Sequence, residues 1–153
     1  MAKIIFPISA EQHAELGDHH RMRTKVKVSD TGRLDAEVRT WTAKKSKGFH
    51  GQVVVFLLDQ AGNVLWNTQD KHRYGINGAG PFDSENVRND NFTETIPASV
   101  LKDVRKIYIY HRRDPKPIGE ILGDIATIVD KVNNTYKVIK NTELAQDIAV
   151  AVA

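Results

Sequence analysis

Asp83, Glu85 and Asp90 are carboxylates set among asparagines and glycines in a long polar stretch. Oxygen donors in a flexible loop suit calcium, so calcium is the one cofactor the sequence suggests. The EF-hand spacing is absent, and a solvated polar loop is the simpler reading. His13, Asp18, His19 and His20 form the other cluster of metal-type ligands. Their spacing matches no zinc pattern, and no HExxH is present.

Binding chemistry is better represented. Lys44, Lys45 and Lys47 stand beside Phe49 and His50, and Arg112-Arg113 follow Tyr108 and Tyr110. Cations near rings suit single-stranded nucleic acid. The net charge of +3 is mild for that partner, which argues against it. Trp41 falls in register with Asp35, Glu37 and Arg39, which places it on the wet face of its strand. There it would suit a glycan or a protein partner, and Trp41, Trp66, Tyr74, Tyr108 and Tyr110 are the aromatics from which a sugar-stacking platform could be drawn. The competing reading is that a loop or the tail covers it. Gly75, Gly78 and Gly80 do not make a phosphate cradle, because Pro81 follows and no helix opens.

Nothing nominates a catalytic centre. There is no cysteine, which removes disulfides, thiolate ligands and cysteine nucleophiles, and there is no GxSxG. Asp35 and Glu37 lie on an exposed strand face and read as partners for the basic row across from them.

The elements that must position these residues are organised around Gln52 to Trp66. Val53 to Leu58 is an unbroken apolar run rich in β-branched side chains, hence a strand. Val53, Val55 and Leu57 face one way, and Val54, Phe56 and Leu58 the other, so both faces need cover. Asp59-Gln60-Ala61-Gly62 turns the chain, and Asn63 to Trp66 returns beside it.

Before this hairpin, residues 1–20 read as an N-terminal arm or a short helix: Lys3 to Ile8 suits an edge strand, and Ser9 could cap a helix with Gln12 at the third position. Residues 21–43 form a hairpin about Asp30-Thr31-Gly32. Its inner face is apolar and its outer face charged, Arg21, Arg23, Lys25 and Lys27 facing Asp35 and Glu37. After it, 67–91 is a long loop, with Lys71 to Ile76 the best place for a hidden strand. Phe92 to Ile96 and Arg105 to Arg112 are strands separated by one helical turn. Pro115 and Pro117 then break the chain. Ile118, Ile121, Leu122, Ile125, Ile128, Val129, Val132 and Tyr136 recur at helical spacing, which predicts an amphipathic helix over 117–140. Residues 142–153 read as a weak helix or a tail.

The expected fold is one domain, mostly β: an antiparallel β-sandwich of six to eight strands over 21–113, with the C-terminal amphipathic helix packed on it. The expected function is a non-enzymatic binding or assembly module that recognises a protein surface or a glycan through loops 44–51 and 67–91. Its ligand-binding candidates are Trp41, Lys44, Lys45, Phe49, His50 and Tyr74. Two alternatives belong to other classes: a membrane-active protein using the C-terminal helix, and a small hydrolase. Homo-oligomers fit any of these. The N-terminal apolar patch is broken by Pro7 and too short for a signal-peptide core. That points to a cytoplasmic protein, or one released without a cleaved signal peptide.

Overall fold

The computed structural model describes residues 6–122 and 148–152. In chain order the strands are β1 (Ile8–Glu15), β2 (His20–Val28), β3 (Arg33–Thr42), β4 (Phe49–Leu58), β5 (Val64–Asn67), β6 (Arg73–Ile76) and β7 (Asn86–Thr95). A single helical turn, α1 (Ala98–Leu101), precedes β8 (Lys106–Arg112) and β9 (Ile148–Val152). They form two antiparallel sheets. The first has the order β1-β2-β3-β7, and the second β5-β4-β8-β9, with β6 also on β4.

β4 is the central strand, as its two apolar faces require. Its first half pairs with β6, its second half with β5, and its whole apolar run with β8. Val53, Val55 and Leu57 share one core with Met22, Val38 and Leu34 of the first sheet. Val54, Phe56 and Leu58 pack on the opposite side with Tyr108, Tyr110 and Ile121. The two hairpin turns also form as their residues dictate. Gly32 and Gly62 both take positive φ, and the Asn63 N–H donates to Asp59 Oδ1 at 2.9 Å.

Residues 118–122 are helical, and Ile118, Ile121 and Leu122 cover the outer side of β4 and β8. Two devices hold the start of that helix. Gln52, fully buried, donates to the Lys116 carbonyl and accepts from the Lys116 N–H, both at 2.9 Å. The Ile118 N–H donates to Asp70 Oδ2 at 3.3 Å, which satisfies one of the orphan donors of a helix start. The rest of the expected helix, 123–140, lies outside the described residues.

Three expectations are corrected. The arm over 1–20 is not a helix where it is described: Ile8–Glu15 is a strand paired along its length with β2. Ser9 and Gln12 mimic a helix cap, but the ladder offered by β2 outweighs that weak local signal. The tail also departs from its reading, because Ile148–Val152 pairs with the otherwise free edge of β8. Finally, β7 begins at Asn86 and takes six residues from the expected loop. Its polar first half shows no alternation, yet β3 pairs with all of it. As an edge strand it keeps its outer side wet and has little need of apolar residues.

Candidate functional site

The two expected binding loops meet. In residues 43–48 and 77–85, Lys45 forms a parallel bridge with Ala79. The Ala79 N–H donates to the Lys44 carbonyl at 2.9 Å, and the Ser46 N–H to the Ala79 carbonyl at 3.3 Å. The Lys45 ammonium donates to the Gly80 carbonyl at 3.0 Å and to the Asp83 carbonyl. Gly48 and Gly78 make the close approach possible. A Cβ on Gly48 would sit 1.9 Å from the Ile76 carbonyl oxygen, and one on Gly78 2.2 Å from the Lys47 nitrogen. Asn86 closes the base, its amide donating to the Asn77 carbonyl at 3.0 Å.

This bracing displays one side chain. Phe82 is 99% exposed at the tip, between Pro81 and Asp83. Among the described residues no side chain covers it.

Beside the loops, the β1–β2 turn holds Asp18 and His19 at positive φ, and Ser46 shares that conformation. Non-glycine residues seldom adopt it, so three so close together mark a constrained end of the molecule. Asp18 lies 3.5 Å from the Lys47 ammonium and 3.6 Å from the Arg113 guanidinium. Lys47 is the main reason its carboxyl sits below the usual range. Arg113 also donates to the Leu16 carbonyl at 3.1 Å.

His20 lies behind this turn, 1% exposed, stacked on Phe49 at 4.3 Å, with Nδ1 2.7 Å from Thr42 Oγ1. Burial pushes its imidazole below the ordinary value, and the Arg113 charge adds to the effect. The sign follows from linkage. Well above pH 6.5, the ordinary imidazole value, the ring is neutral in both states. Below it the unfolded chain binds the proton first, so stability falls as the solution is acidified. The difference in Tm between wild type and His20→Phe should therefore change between pH 7.5 and 5.5, against the wild type at the lower pH. A difference independent of pH would refute this.

The other expected binding residues divide into two groups. Lys44 and His50 are exposed near the joined loops, and Lys45 braces them. Phe49, Tyr74 and Trp41 are buried. Tyr74 lies under the Arg88 guanidinium, and burial pushes its phenol up to about 12. Trp41 does face outward from β3, but it is only 7% exposed. The His13 ring meets it edge-on at 5.3 Å and the Arg39 guanidinium lies 4.8 Å from its ring centre. Both covers come from its own sheet, and His13 reaches it only because β1 is a strand.

The acidic candidates do not converge. The Glu85 carboxylate is 3.7 Å from Arg39, and Asp90 accepts from Arg88 at 2.8 Å. Asp83 contributes its carbonyl to Lys45. Among the described residues no three His, Asp or Glu side chains are placed to share a metal ion. Phe82, by contrast, was not among the residues singled out from sequence. Its signal was a lone ring inside Gly-Ala-Gly-Pro-Phe-Asp, a context with no partner for it.

No family model, curated protein or solved structure matches this chain. Among the described residues no helix is long and apolar enough to cross a membrane.

Proposed function

We propose that this chain is a non-enzymatic binding or assembly module, a β-sandwich that docks on a protein surface through the joined loops 43–48 and 77–85. Phe82 is the anchor. The observation that carries the reading is its full exposure on a loop braced by Lys45, Gly48 and Gly78. A rigid, already exposed ring enters a partner's apolar pocket with little loss of conformational freedom, and burying it contributes about 1.5–3 kcal/mol. Lys44 and Lys47 at the rim favour a pocket edged by carboxylates. The membrane-active alternative is weakened because Ile121, on the stripe it would use, is fully buried against the sheet.

The test is a photo-crosslinking phenylalanine analogue at position 82 in the native host, with the adduct identified by mass and its affinity measured with purified components. One dominant protein adduct is expected. Phe82→Ser should weaken its binding at least 30-fold, about 2 kcal/mol, without lowering Tm. Equal affinity of the wild type and Phe82→Ser for that protein defeats the proposal.

A further inference from the structure

The sheet edges among the described residues are not alike. An edge strand presents backbone N–H and C=O groups that another strand can join, and folds normally blunt it with short strands, proline, bulges or charge. β5 and β6 are four residues long and β9 is five. β1 lies near β9 and turns Glu11, His13 and Glu15 outward.

β7 differs. It runs for ten residues without proline or lysine, and its register with β3 is unbroken. The Ile96 N–H donates to the Gly32 carbonyl at 2.7 Å, and hydrogen-bonded pairs then recur at every second residue of an antiparallel ladder. Arg88, Asp90 and Phe92 therefore spend their backbone groups on β3. Val87, Asn89, Asn91 and Thr93 turn theirs to the edge, where no described strand meets them. The side chains of these four lie on the outer face of the sheet, opposite Trp41, Arg39, Glu37 and Asp35, and carry no charge. Val87, 37% exposed, is the one large apolar side chain besides Phe82 left in water among the described residues.

The charges on the inward side of β7 choose the occupant. Arg88 and Asp90 are joined at 2.8 Å, with side chains 44% and 22% exposed. A strand of arbitrary sequence would take them out of water without pairing them, which guards the edge against strangers. A second copy of β7 brings its own Arg88 and Asp90. Because the edge-directed backbone groups belong to odd-numbered residues, two antiparallel copies must set odd against odd. A twofold axis through Asp90 sets two carboxylates against each other, which is unfavourable. An axis through Asn91 sets Arg88 against Glu94, whose carboxylate already meets His72 and the Gln69 N–H. An axis through Asn89 sets each Arg88 against the second copy's Asp90. The Arg88 guanidinium donates from Nε to Asp90 and from Nη1 to the Gly75 carbonyl, which leaves N–H groups for a second carboxylate. The same axis sets Asn89 against itself, and facing amides both donate and accept. We infer that two copies of this chain pair antiparallel through β7 about a twofold axis at Asn89, joining their first sheets into one.

Sedimentation velocity of the full chain, from micromolar to millimolar protein, should show a species of twice the monomer mass that grows with concentration. Asn89→Lys sets like charges against each other at the axis and should weaken self-association about tenfold or more, with the circular dichroism of the monomer unchanged. The chain has no cysteine, so Asn89→Cys supplies a single thiol. Facing residues of a hydrogen-bonded pair have Cα atoms about 5.5 Å apart, within disulfide reach. Mild oxidation should link Asn89→Cys chains and leave Asn91→Cys chains unlinked, because residues 91 would lie about 13 Å apart along the strands. Phe82→Ser should still dimerise, which keeps this surface separate from the proposed docking tip. A single monomeric species at every concentration, faster linking at 91 than at 89, wild-type self-association of Asn89→Lys, or loss of the dimer in Phe82→Ser would each overturn the inference.

Discussion

Phe56→Ala is expected to lower the free energy of unfolding by about 3–5 kcal/mol, the upper range for truncating a core aromatic. Phe56 is fully buried on the outer side of β4, among Tyr108, Tyr110 and Ile121. The cavity it leaves cannot collapse easily. Its backbone is held opposite Tyr108 on one side and Asn67 on the other, so β4 is unable to shift toward the gap. Such a loss is a large part of the roughly 5–15 kcal/mol that a domain has. Urea unfolding followed by tryptophan fluorescence gives the value. A loss below about 1 kcal/mol would mean that the outer side of β4 is not a packed core, and the central role given to this strand would be wrong.

The second large effect is expected at Glu94. Its carboxylate meets His72 Nε2 and accepts from the Gln69 N–H at 3.1 Å. Glu94 belongs to β7 of the first sheet, whereas His72 lies in the β5–β6 connection of the second. The His72 ring stacks on Phe92 at 3.6 Å, and its carbonyl accepts from the Val53 N–H at 3.1 Å. The side chains of His72 and Glu94 are only 7% and 9% exposed, so this cross-sheet pair is shielded from water. Glu94→Ala strips His72 and Gln69 of their partner inside that shielded region, and a loss of about 1–3 kcal/mol is expected. Glu94→Gln keeps the shape and one acceptor, so it should lose clearly less. Glu37→Ala, the same residue type on the wet face, should stay within about 0.5 kcal/mol. Chemical denaturation of the three variants side by side checks the ranking. Equal losses for Glu94→Ala and Glu37→Ala would refute the structural role of the pair.

The charged face shows how a correct reading of one strand can still misplace its partners. Alternation put Arg21, Arg23, Lys25 and Lys27 outward, and they are outward. Lys25 and Lys27 do lie opposite Glu37 and Asp35. Yet Asp35 accepts from Arg33 at 2.9 Å and from Thr93 at 2.8 Å, and Arg21, Arg23 and Lys25 turn instead to Glu15 and Glu11. Those glutamates come from β1, a strand that the sequence presented as a helix start. Trp41 follows the same logic. Its outward direction was legible, but its burial under His13 and Arg39 depended on which strand lay two places away.

The amino-acid order alone determined the elements whose signal is local and strong: the two-sided run of β4, the turns at Gly32 and Gly62, the alternation of β2, β3 and β8, and a helical turn at 118–122. Side-chain period and turn chemistry act over a few residues, so they are written in the residues themselves. Tertiary pairing decided that Ile8–Glu15, Asn86–Asn91 and Ile148–Val152 are strands, since each gains its hydrogen bonds from a neighbour far away in sequence. It also decided that Trp41 is covered while Phe82 is bare. Exposure depends on what the rest of the chain brings alongside, and no window of a few residues contains that.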